Sequence, residues 1–109
     1  MSGPVVQLSP AQVAARLERG DDFTIIDVRE PWELERASLS GAMSIPLGEI
    51  PSTAATLDSS RSYVLMCHHG MRSEMATEWL RNHGFSDVAN LDGGIDAWSA
   101  QVDPAVPRY

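Results

Sequence analysis

The sequence contains one thiol, and its neighbours are residues that could make it reactive. Cys67 is the only cysteine, followed by His68, His69, Gly70, Met71, Arg72 and Ser73. A thiol attacks as thiolate, and a free one is only a few per cent ionised at neutral pH. Amides of a loop that curls into a helix N-terminus lack backbone partners and can converge on an anion at the loop's centre. Gly70 allows the positive φ or close backbone approach that such a cradle needs. Arg72 either adds a fixed positive charge or serves as a structural ion-pair partner. No acidic residue lies between Ser59 and Ser73, so an acidic chain is expected to keep its thiol in locally electropositive surroundings. His68 and His69 either touch the substrate or stand exposed beside it. One cysteine and two adjacent histidines lack the paired spacing of a structural zinc site, and no metal is expected.

A thiol can be held this way only if the flanking segments fix both ends of its loop. Tyr63 to Met66 is too apolar to alternate and reads as a buried strand, so Cys67 falls at its carboxyl end, where open α/β sheets bind ligands. The next helix is expected from about Ser73 to His83, with Met75, Ala76, Trp79 and Leu80 on one face. Gly84 should stop it, with Phe85 touching Leu80. Phe23 to Val28 is a second buried strand. It contains Asp27, which with Arg29 suggests a buried ion pair or hydrogen-bonded network near the site.

The remaining segments alternate in the same way. Val5 to Leu8 can form a short strand, and Ser9-Pro10-Ala11-Gln12 is a capping box opening a helix with Val13 and Leu17 as its stripe and Gly20 as its stop. Pro31 opens a helical stretch toward Arg36, Met43 to Ile45 is a brief strand ended by Pro46, and Ser52 to Leu57 is helical. Val88 to Leu91 is the last strand, Gly93-Gly94 a turn, and Ile95 to Ala100 the last helix. This predicts an α/β fold with a mainly parallel five-stranded sheet and helices on both faces. Residues 1–109 form one domain, with a core over about 5–101 and a tail over 102–109 that carries Pro104 and Pro107.

Composition narrows the function classes. The 109 residues are 43% hydrophobic, enough for one core, and eight basic against fifteen acidic residues give a net charge of -7. Every basic residue is Arg. Nucleic acid and anionic membranes are therefore excluded as expected partners. No apolar run approaches the ~20 residues of a membrane span, and Met1 to Leu8 lacks a signal pattern. A cytoplasmic chain with a free thiol is expected.

From Leu8 to Trp98 the sequence resembles the rhodanese superfamily. Four stretches carry the resemblance in order: Ile25 to Arg29 with Glu30, Pro31 and Glu33; Ser40 to Pro46; Cys67 to Ser73; and Leu91 to Ile95 with Ala97 and Trp98. The resemblance implies a three-layer rhodanese-like fold and a sulfurtransferase that needs no cofactor. Cys67 would be the catalytic nucleophile, His68 to Ser73 the substrate-binding loop, and Asp27 and Arg29 structural residues near it. The implied donor is thiosulfate or a similar small anion. The implied acceptor is a thiol, cyanide or a protein. A relay carrier between protein partners is the alternative reading. The loop has six residues from Cys67 to Arg72, whereas the related cysteine phosphatases and arsenate reductases use one more around a tetrahedral oxyanion. Ala37-Ser38-Leu39 replaces the usual Gly-His-Ile before Gly41-Ala42, which removes a histidine from the local hydrogen bonding.

Overall fold

The computed structural model describes residues 3–109. Five strands form one sheet: β1 (Val6–Leu8), β2 (Thr24–Asp27), β3 (Met43–Ser44), β4 (Tyr63–Met66) and β5 (Val88–Leu91). Their spatial order is β1-β5-β4-β2-β3, and every pairing is parallel. Parallel strands need crossovers, and these carry α1 (Pro10–Arg19), α2 (Pro31–Leu34), α3 (Ile50–Ala54) and α4 (Met71–Arg81), while α5 (Gly94–Gln101) follows the last strand. All carboxyl ends lie at one edge, so the segments after β2, β4 and β5 meet there.

The central strand explains its own composition. Tyr63, Leu65 and Cys67 pack on one face with Ile26, Ile50, Ala76 and Leu80, while Val64 and Met66 pack on the other with Val13, Ile25, Ile95 and Trp98. The first face is covered by α3 and α4, the second by α1 and α5. A strand covered on both sides cannot alternate, and β4 is buried throughout.

Helix ends follow their predicted chemistry. Ser9 and Gln12 form the reciprocal capping box, and Gly20 closes α1 with φ 72°. At the end of α4, Phe85 N–H donates to Leu80 O at 3.1 Å across Gly84, and Phe85 is buried in the same cluster as Leu80. Other expectations need correction. Helix α4 starts at Met71 rather than Ser73, because Gly70 at φ 104° caps it directly and draws Met71 and Arg72 into the first turn. Helix α3 starts at Ile50, after a 3-10 turn over Leu47–Glu49, rather than at Ser52. Leu17 is 49% exposed and opens on a surface groove with Leu39 and Trp98, so the buried stripe of α1 rests on Val13. Met75 is 63% exposed, since it borders a cavity while Ala76 and Leu80 face the core.

The segment 102–109 folds back over α5. Val102, Val106 and Tyr109 pack against the cluster of Ile95 and Trp98. Ser99 Oγ donates to the Val106 carbonyl, and Arg108 forms two bonds to Asp96 at 2.9 and 3.0 Å. Among the described residues, no helix is long and apolar enough to cross a membrane.

Candidate active site

Cys67 directly follows the central strand β4 and is 1% exposed. Its Sγ accepts from Gly70 N–H at 3.1 Å, the bond that closes the loop onto the sulfur. Ser73 Oγ lies 3.4 Å from Sγ. The Ser73 proton is committed elsewhere, however. Asn90 Nδ2 donates to Gln7 Oε1 at 2.9 Å and to Gly70 O at 3.0 Å, which fixes the Asn90 amide so that its oxygen accepts from Ser73. Asn90 thereby ties both Gly70 and Ser73 to β5.

Helix α5 holds the loop from the other side. Ile95 N–H donates to Cys67 O at 2.9 Å, and Asp96 N–H to His68 O at 3.1 Å. In a trans peptide the carbonyl and the following N–H point oppositely, so the His68 and His69 N–H groups are directed away from α5 and left for a ligand. This approach requires Gly94. A Cβ there would lie 2.4 Å from Cys67 O and 2.5 Å from His68 O, and the backbone has φ 62°.

Beneath the loop lies a charged network. The fully buried Arg29 gives Nε to both Asp27 oxygens at 3.0 and 3.1 Å, and Nη2 to Asp27 Oδ2 at 2.7 Å and Ala37 O at 2.8 Å. Its Nη1 donates to Tyr109 Oη at 2.9 Å and Glu33 O at 3.3 Å, so all five N–H groups are used. The Ala37 side chain does not matter here; its carbonyl does.

Arg72 pairs with Glu33 through two bonds of 2.6 and 2.8 Å. The ion-pair reading of Arg72 is thus the one the structure displays. The expected electropositive setting needs correction as well, because Glu33 and Asp96 reach the loop from distant parts of the chain. The Arg72 bonds, opposed by burial and helped by Tyr109, hold the Glu33 carboxyl at about 2 against an ordinary 4.5. A carboxylate lowered on folding stabilises above its ordinary value and loses that contribution as pH falls toward its folded value. The difference corresponds to roughly 3 kcal/mol. In urea unfolding, the advantage of the wild type over Glu33→Gln should therefore shrink between about pH 5 and pH 2. Parallel stability curves across that window would contradict the pairing.

A cavity of about 390 Å³ opens over the thiol, lined by Cys67, His68, His69, Met71, Arg72 and Met75. The site residues read from the sequence therefore come together, apart from Gly70 and Ser73, which act from beneath. His68 is stacked between His69 and Tyr109, each ring centroid 3.9 Å away. Burial, and then the neighbouring His69, push the His68 imidazole below its ordinary value. Nitrogen and oxygen atoms of His68, His69 and Asp96 lie within 4.8 Å of one another. Near-parallel rings direct their lone pairs alongside one another rather than at one point, and Asp96 already holds Arg108, so this trio does not form a chelate.

Sequence reasoning missed three participants. Asn90 left a signal, a lone amide in the apolar strand Val88 to Leu91. Glu33 belonged to the matching stretch but had no assigned partner. Tyr109 left none.

The chain is similar to known proteins over most of its length. Residues 9–101 match the Rhodanese-like domain family. The chain is 32% identical over 92 residues to thiosulfate sulfurtransferase GlpE of Stutzerimonas stutzeri, covering 84% of this chain and 83% of that protein. It is 40% identical over 93 residues to the Rhodanese-like/PpiC domain-containing protein 12, chloroplastic, of Arabidopsis thaliana, which covers 82% of this chain but only 31% of that protein. The crystal structure of a rhodanese-related protein from Thermoplasma volcanium superposes with a TM-score of 0.82 at 29% identity, covering 95% of this chain and 99% of that one.

Proposed function

Because this chain belongs to the rhodanese-like domain family, we propose that it is a sulfurtransferase in which Cys67 carries sulfur as a persulfide. The observation that supports this best is the Cys67 Sγ itself: buried, bonded by Gly70 N–H, and facing a cavity lined by His68, His69 and Arg72. The Cys67 thiolate attacks the outer sulfur of thiosulfate, the S–S bond breaks, and sulfite leaves with the electron pair. A thiol, cyanide or a protein thiol then attacks the outer sulfur, and the Cys67 thiolate leaves. Both halves balance without a metal or an organic cofactor.

Each residue has a role in this scheme. The His68 and His69 amides and Gly70 N–H stabilise negative charge on the sulfur. Glu33 takes two Arg72 N–H groups, which leaves three at the cavity for a dianionic donor. Ser73 and Asn90 hold the loop to the sheet. The six-residue span from Cys67 to Arg72 makes a ring suited to a single sulfur rather than to a tetrahedral oxyanion. Met71 and Met75, 80% and 63% exposed at the cavity mouth, favour the second reading, a relay that meets a protein acceptor.

Initial rates with thiosulfate and a thiol or cyanide acceptor test the reading. A covalent intermediate predicts parallel double-reciprocal lines, and the six-residue loop predicts little hydrolysis of an aryl phosphate. Cys67-dependent phosphate hydrolysis without thiosulfate turnover would contradict it.

A further inference from the structure

Tyr109 lies eighty residues from Arg29 in sequence, yet it touches the supports of the Cys67 loop at two independent points. Its hydroxyl accepts from Arg29 Nη1 at 2.9 Å and donates to Glu33 Oε2 at 2.6 Å. The direction is fixed, because a guanidinium cannot accept and a carboxylate cannot donate. Glu33 is then fully occupied: Oε1 takes Glu30 N–H and Arg72 Nη1, and Oε2 takes Arg72 Nη2 and Tyr109 Oη. The second point is the ring, which stacks on His68 at 3.9 Å with an interplanar angle of 6°. Trp32 meets the same ring in an edge-to-face arrangement, with centroids 6.4 Å apart.

We propose that Tyr109 is a positioning residue for sulfur transfer: its hydroxyl orients Arg72 through Glu33, and its ring holds His68, so that the segment 102–109 acts as a strap shaping the loop from outside. This rests on the sulfurtransferase reading. Removing the hydroxyl leaves one Glu33 lone pair and one Arg29 N–H unmet in a buried place, and takes away one of the four bonds that set the angle of the carboxylate and of the Arg72 paired to it. Removing the ring exposes one face of His68, the residue next to the nucleophile. The strap itself is pinned without Tyr109, by Arg108 on Asp96, by Ser99 on the Val106 carbonyl, and by the packing of Val102 and Val106. Variants at residue 109 therefore keep the strap in place and the fold intact.

Tyr109→Phe and Tyr109→Ala separate the two contacts in the full chain. The Phe variant keeps the stack and loses the hydroxyl. Its kcat/KM for thiosulfate should fall about fivefold, mainly through KM, because the hydroxyl's two hydrogen bonds, to Arg29 and Glu33, are lost one step away from Arg72. The Ala variant should fall further, by roughly tenfold or more. It should also raise the NMR titration midpoint of His68, which is held low by burial and then by His69, and raised by the Tyr109 backbone, Asp96 and Glu33; the Ala variant keeps that backbone and removes the ring that buries the imidazole. The Phe variant should leave that midpoint unchanged. Wild-type kcat/KM in both variants would overturn the proposal, as would a fall in kcat alone that tracks loss of folded protein. If the wild type takes no sulfur from thiosulfate, the sulfurtransferase reading fails separately. The His68 midpoint still decides the contact, with a rise in Tyr109→Ala supporting it and no change overturning it.

Discussion

Arg29→Ala should destabilise the protein by about 3–5 kcal/mol, the range for removing one partner of a buried ion pair. Arg29 is fully buried and donates to Asp27, Glu33 O, Ala37 O and Tyr109, so a single truncation strips partners from the end of β2, from α2, from the loop after it and from the strap. The largest part of the loss comes from Asp27, a carboxylate 1% exposed at the end of β2 that would face the interior unpaired. A small domain has only about 5–15 kcal/mol of stability, so the variant should unfold at a much lower urea concentration. Adding Asp27→Asn should recover part of the loss, since the uncompensated charge is then gone, and a double-mutant cycle measures how much. A loss below about 1 kcal/mol for Arg29→Ala would mean that water reaches Asp27 and that the network is not sealed.

Cys67→Ser should lower thiosulfate turnover by at least ~10³-fold while leaving the protein folded. Serine is close to cysteine in shape, and its oxygen can still accept from Gly70 N–H, so the loop retains the bond that closes it. What is lost is the nucleophile: a hydroxyl does not ionise near neutral pH and cannot hold a sulfane sulfur. Urea unfolding of the variant should differ from wild type by no more than about 1 kcal/mol. Together the two substitutions separate scaffold from chemistry, with Arg29 affecting chiefly stability and Cys67 chiefly turnover.

Local chemistry was readable from the sequence wherever neighbours in the chain are neighbours in space. The apolar runs Tyr63–Met66 and Val88–Leu91 are strands with those bounds, and the Ser9 capping box forms as its residue types require. The Cys67 to Ser73 stretch was legible for the same reason, as one continuous segment, although only Cys67 to Gly70 lie between strand and helix and Met71 to Ser73 open α4. The electrostatics were not. The absence of acids from Ser59 to Ser73 suggested a positive setting, but Glu33 is brought to Arg72 by the return of the chain through β2 and α2. Tyr109 falls in a Pro-containing tail, and nothing in its neighbours in the sequence marks an aromatic ring that stacks on His68. The exposure of Met75 had a related cause, because helical spacing places it beside the core-facing Ala76 but cannot show that a cavity opens there.

The most direct test of the central claim is the intact mass of the protein after brief treatment with thiosulfate and removal of excess donor. The wild type should gain the mass of one sulfur atom, located by peptide mapping to Cys67, and should lose it on addition of cyanide or a thiol. Cys67→Ser should gain nothing. An unchanged wild-type mass, or the same gain in Cys67→Ser, would contradict the assignment of Cys67 as the sulfur carrier.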